Sequence, residues 1–351
     1  MSGSTILPVF DGHNDVLLRL WLKQTGDPVA DFIGGDGKGH MDLPRMAASG
    51  FAGGMFAVFV PPAHENPADD DDLNPPLAGE IGCKDALPKA LSMAALLFRI
   101  EREAAGRLRI CRDAADIRRA MAAQAIAAVL HIEGAEPIDA ELRNLDILYA
   151  SGLRSLGPVW SRPNIFGHGV PFRFPSSPDT GPGLTGAGLD LIRRCNELRI
   201  AIDLSHITER GFWDVAKIST APLIATHSNV HGISASSRNL TDKQIEAIGA
   251  TGGMIGLNFA NGFLRPDGLW RSDTGLDIML RHLDRMIELA GIDHVGLGSD
   301  FEGARIPAAI GDVTGLAALQ KAMGAHGYDE AAMRKLCFEN WLAVLERTWG
   351  G

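Results

Sequence analysis

Short apolar runs rich in β-branched residues recur along the chain, separated by stretches in which apolar residues return at helical spacing. That alternation predicts repeated βα units around a parallel sheet. Candidate strands fall at about 8–11, 52–60, 126–132, 153–159, 199–204, 222–226, 253–258 and 294–299. Eight strands is the number that closes a barrel, so the expected fold class is α/β, a (β/α)8 TIM barrel with long loops between strands and helices. Thr241 followed three residues later by Gln244 makes a capping box for a helix ending near 250. Residues 84–105 and 276–290 carry amphipathic helical patterns. Residues 63–82 and 166–183, rich in Pro and Gly, fit neither class and read as long surface loops.

A length of 351 residues suits one barrel with insertions, so residues 1–351 are expected to form a single domain. Apolar residues at 46% and charged residues at 22% are enough for a large core and argue against disorder. The formal charge of −10 speaks against nucleic acid as a partner. The N-terminus lacks a charged region followed by a long apolar core, and no later segment offers ~18 uninterrupted apolar residues. A soluble, cytoplasmic protein without a membrane partner is expected. Cys83, Cys111, Cys195 and Cys337 are scattered, with no CxxC pair, and read as reduced thiols. The acidic run Asp69–Asp72 lacks the spaced ligands and turn glycine of a Ca²⁺ loop and reads as solvated.

The informative feature is where the chemical side chains fall. Candidate strand ends read Asp11-Gly-His13-Asn-Asp15, His131-Ile-Glu133, Asp203-Leu-Ser-His206, Thr226-His227 and Gly298-Ser-Asp300. Singly, each is weak, since an Asp there often only caps the next helix. Together, three histidines and three acids at the C-terminal mouth of one barrel would be buried polar groups without compensation unless they held metal. Imidazole and carboxylate donors suit Zn²⁺ or a similar first-row ion.

His13 and Asp15, two residues apart, project to the same side and suit one ion. His206 and His227 end neighbouring strands and suit a second, leaving Glu133 with two oxygens as the bridge. No lysine lies between Lys89 and Lys217, which excludes a carboxylated lysine at the ends of the third to fifth strands. His131, two residues before Glu133, could compete as a ligand, but reads as a support for the others. Asp300 reads as the general base that steers the nucleophile and later protonates the leaving nitrogen. Arg238 and Asn239 follow the sixth strand, where a guanidinium can clamp a substrate carboxylate or form a loop ion pair.

This ordered set resembles the renal or membrane dipeptidase family of zinc peptidases, peptidase family M19, within the amidohydrolase barrels. The likeness rests on Asp-Gly-His13-Asn-Asp15, Glu133-Gly, Asp-Leu-Ser-His206, His227-Ser, Ser-Arg238-Asn239 and Gly-Ser-Asp300-Phe-Glu-Gly, and covers most of the chain. It implies two Zn²⁺ per chain: one on His13 and Asp15, the other on His206 and His227, with Glu133 between. It also implies that Asp300 holds the bridging water and that Arg238 binds the terminal carboxylate of a dipeptide, including some dipeptides with a D-residue in the second position.

Two positions depart from the family pattern. Where the family often has a histidine contacting the scissile carbonyl, this chain reads Leu156-Gly-Pro-Val-Trp160-Ser, and where it often has an aromatic after Asn-Phe, this chain has Ala260. An amide-cleaving site usually supplies a donor where charge builds on the carbonyl oxygen. His168 is the expected replacement, in a glycine-bearing loop able to fold over the mouth, with Trp160 as a pocket wall. The function expected is therefore a dipeptidase using a metal-bridging hydroxide as nucleophile. The alternatives are hydrolysis of another small amide, such as an N-acyl amino acid or a lactam, and a catalytically silent binding protein, which the complete ligand set disfavours. The expected partner is a dipeptide, and a homodimer is left open.

Overall fold

The computed structural model describes residues 6–62 and 73–350. Among the described residues nine strands are formed, all paired in parallel: β1 (Val9–Asn14), β2 (Phe51–Phe59), β3 (Leu108–Ile110), β4 (Ile126–Glu133), β5 (Leu153–Gly157), β6 (Ala201–Ile202), β7 (Ile224–Ser228), β8 (Met254–Asn258) and β9 (Val295–Gly298). Eight of them follow the order β6-β5-β4-β2-β1-β9-β8-β7, and a parallel bridge from Asp203 to Ile224 joins the two ends. The result is a (β/α)8 barrel. The three-residue β3, which the hydrophobic pattern does not reveal, pairs with the first residues of β4 beside β5.

Strand periodicity divides the core in two. On β4, Ala127 and Val129 pack inside the barrel, while Ile126, Ala128, Leu130 and Ile132 face the surrounding helices. The same alternation carries His131 and Glu133 along the inner face to the mouth. Inside, Phe10, Met55, Val129, Ile224 and Met254 pack with Trp341, which enters from the C-terminal helix Asn340–Trp349. The Trp341 indole donates to the Leu297 carbonyl at 2.9 Å. A side chain at Gly12 would strike this ring and the Thr226 carbonyl, so the close approach requires glycine there. The far end of the barrel is thus filled, leaving the C-terminal mouth as the open end.

The helices expected from periodicity appear as Cys83–Glu103, Asp242–Ala250 and Leu276–Ala290, and both hydrogen bonds of the Thr241/Gln244 capping box are present. Residues 73–82 and 166–183 contain no helix and no strand beyond isolated bridges, whereas Asp69–Asp72 lie outside the described residues. All four cysteines are free thiols. Among the described residues, no helix is long and apolar enough to cross a membrane.

Candidate metal centre

β1, β4, the segment after β6, and β7 deliver His13, Glu133, His206 and His227 to one buried spot, and Asp15 follows as the N-cap residue of the helix Val16–Leu22. Glu133 lies at the centre. Its Oε1 is 2.9 Å from Nε2 of His206, 3.3 Å from Nε2 of His227 and 3.7 Å from Nε2 of His13. Nε2 of His13 is also 3.1 Å from Asp15 Oδ2, and the two remaining imidazoles approach each other at 3.1 Å. Among the described residues, four sets of donor atoms converge, His13/Asp15/Glu133, Glu133/His206/His227, His13/His227/Asp300 and His13/His131/Asp203, and the first two share Glu133.

Neighbours orient these rings. Nδ1 of His206 meets Ser161 Oγ at 2.8 Å and Nδ1 of His227 meets Thr226 Oγ1 at 2.7 Å, which turns both Nε2 atoms toward Glu133. Asp203, fully hydrogen bonded to Ser205 and Thr226, ties the β6 end to β7. Asp11 does the same between β1 and β9, accepting from the Ser299 amide at 2.6 Å and hydroxyl at 2.8 Å. His131 sits below the centre, with Nδ1 2.9 Å from Ser155 Oγ and its ring edge-on to His13.

The electrostatics call for cations. Burial raises the Glu133 carboxyl well above its ordinary value and raises Asp300 in the same direction. Burial acts against a charged His13, but the carboxylates of Glu133 and Asp15 outweigh it and push this imidazole up to about 10. His206 and His227 are driven well down, first by burial and then by the positive charges of Arg238 and His13. The neutral imidazoles of His206 and His227, the carboxylates crowded around His13, and Asp15 Oδ1, buried and lacking any hydrogen bond, offer donors of the kind that divalent ions of the zinc type take. The residues therefore fit metal.

Asp300 closes one side of the centre, its carboxylate oxygen converging with His13 and His227. It adopts a left-handed backbone with φ of 59°, uncommon outside glycine and characteristic of residues held in place for function. Asn258, unremarked in the sequence, donates to Asp300 Oδ2 at 3.0 Å.

Arg238 is buried beside the centre. Its guanidinium donates to Ser228 Oγ at 2.8 Å and the His227 carbonyl at 2.9 Å, approaches His206 Nε2 at 3.1 Å, and leaves Nε without a partner. Asn239 is turned elsewhere: its amide donates to the Ser234 and Phe263 carbonyls, holding two mouth loops together. Trp160 lies 5.8 Å from the His206 ring, ring centre to ring centre. His168 is not brought to the cluster. Its loop does fold back, with Gly169 bridged to Ile207, but Nδ1 of His168 meets the Gly183 carbonyl at 3.3 Å.

A parallel barrel whose mouth gathers imidazoles and carboxylates in this way is a metallohydrolase architecture. The membrane dipeptidase family, peptidase family M19, matches residues 4–349, and the chain belongs to it. It is a metal-dependent dipeptidase. A metallopeptidase from Rhodobacter sphaeroides, solved with a phosphinate mimic of the dipeptide L-Ala-D-Ala, is 54% identical with a TM-score of 0.95, covering 98% of this chain and 100% of that one. A metallopeptidase described as dipeptidase AC is likewise 54% identical, with a TM-score of 0.93 over 99% and 100% of the two chains. An uncharacterized protein from the pqqA 5′ region of Klebsiella pneumoniae is 51% identical over 255 residues, 73% of this chain and 94% of its own.

Proposed function

We propose that the chain hydrolyses the peptide bond of dipeptides, L,D-dipeptides among them, at a centre of two zinc ions. His13 and Asp15 would hold one ion and His206 and His227 the other, with Glu133 shared between the two sets. When bound, the ions polarise the scissile carbonyl and acidify the attacking water. Asp300 receives the proton from that water and passes it to the departing amine; burial, by raising its carboxyl, suits it to carry a proton in both directions. Arg238, whose Nε has no protein partner, binds the substrate carboxylate. Asn239 positions the loop that presents Arg238, Trp160 forms a wall, and His168 is left a loop role.

The observation that carries the reading is the convergence of three imidazole Nε2 atoms within 2.9–3.7 Å of one carboxylate oxygen, in a chain of this family. The phosphinate bound to the Rhodobacter sphaeroides relative supports the L,D stereochemistry. Metal-loaded protein assayed against L,L- and L,D-dipeptides and N-acyl amino acids tests it. Turnover confined to dipeptides is expected. Turnover confined to acyl amino acids would replace this reading with that of another amidohydrolase.

A further inference from the structure

Trp160 occupies a place where the family pattern suggests histidine, and its surroundings form a surface of their own. The Phe59 ring lies 4.9 Å from Trp160, Phe172 meets Trp160 edge-on at 5.5 Å, and Phe263 lies 5.5 Å from Phe172. Trp160 and Phe172 keep part of their surface exposed. The wall touches the centre on one side only. Trp160 and Phe172 lie 5.8 and 6.2 Å from His206, the Arg238 guanidinium lies 5.7 Å over Phe263, and no ring of the wall contacts His13.

Beneath the wall lies a buried cation. The Arg162 guanidinium is 5.2 Å from the Trp160 ring and 5.4 Å from that of Phe59, and it donates to Glu136 Oε1 and the Val60 carbonyl, each at 2.7 Å. A cation against both faces fixes the tilt of the rings and offsets the cost of burying the guanidinium. Ser161, between Trp160 and Arg162, holds His206. The same three-residue segment therefore orients a metal-binding imidazole and supplies the wall.

We infer that this wall reads the side chain of the C-terminal residue of the dipeptide and favours an apolar one, with Trp160 as the specificity-determining residue and Arg162 as a positioning residue. The inference rests on the proposed dipeptide reading. A substrate carboxylate at Arg238 places the C-terminal residue on the Arg238 and His206 side of the centre, beside the rings of the wall. The N-terminal residue extends toward His13, whose ring contacts are His131 and His227 and not the wall.

The test uses the metal-loaded wild type with Trp160→Ala, Trp160→Phe and Arg162→Lys. One dipeptide series keeps N-terminal alanine and varies the C-terminal residue through glycine, alanine and leucine in L and D forms; a mirror series varies the N-terminal residue. The wild type should prefer C-terminal leucine to glycine. Trp160→Ala should erase about 10-fold of that preference through KM, the scale one apolar contact surface confers, with metal content and the ranking within the mirror series unchanged. Trp160→Phe should restore part of it, and Arg162→Lys should show the Ala pattern more weakly. Equal losses across the C-terminal series, or a selective loss in the mirror series, overturns the inference while leaving dipeptidase activity intact. Absence of dipeptide hydrolysis by the wild type overturns both.

Discussion

Asn258 Nδ2 donates to Asp300 Oδ2 at 3.0 Å, so one oxygen of this carboxylate is committed to the barrel and the other makes no hydrogen bond to protein. Asn258 is itself fixed, through exchange with Asn229 and through Oδ1, which accepts from the Ala260 amide. The pair aims a single free oxygen at the centre.

Asp300→Asn should keep its metal and lose turnover by about 10²–10⁴-fold, the range for removing a proton carrier. Asn258→Ala, which leaves the carboxylate present but unaimed, should lose less and also keep its metal. Metal analysis with single-turnover kinetics checks both. An Asp300→Asn protein that loses an ion makes this residue a ligand instead.

Arg238→Ala should weaken the transition state for dipeptides with a free C-terminal carboxylate by about 1.5–3 kcal/mol, as expected for one charge-assisted hydrogen-bonded contact. C-terminally amidated dipeptides should scarcely respond. Equal losses for the two substrate forms would reduce Arg238 to its contacts with Ser228 and the His227 carbonyl.

His282 links two mouth loops: Nδ1 accepts from the Val230 amide at 3.1 Å and Nε2 faces the Leu264 carbonyl at 2.9 Å. Burial holds it neutral, lowering it from 6.5 to about 4. Between those values the unfolded chain binds a proton that the folded chain refuses, so stability falls as pH drops from 6.5 toward 4. The shift corresponds to about 3 kcal/mol once both values are passed. Denaturant unfolding at pH 7 and pH 4.5 should therefore show a smaller acid loss for His282→Gln than for wild type. An identical pH response would mean that His282 does not titrate this way.

The barrel was legible because its strands are apolar runs of β-branched residues, and the converging cluster because its imidazoles and carboxylates close those runs. On β4 the period that buries Ala127 and Val129 carries straight on to Glu133. What escaped was set by partners distant in sequence. β3 has only three residues and no pattern of its own, Trp341 fills the barrel from the last helix, and Arg162 is neutralised by Glu136 across two loops. Asn258 carried a faint signal, a polar residue ending an apolar strand. Position after the sixth strand and the family likeness put Asn239 near the mouth, and the glycines of its loop put His168 there; contacts with carbonyls distant in sequence, Phe263 at 2.8 Å and Gly183 at 3.3 Å, turn the side chains elsewhere.

The central claim is that Glu133 joins two ions. Equilibrium metal analysis of the loaded wild type beside Glu133→Gln, at matched pH and free zinc, addresses it most directly. The account predicts two ions per wild-type chain and weakened retention of both in the variant, because the altered carboxylate belongs to both sets. One ion per wild-type chain, or a variant that loses one ion and holds the other with unchanged affinity, would contradict it.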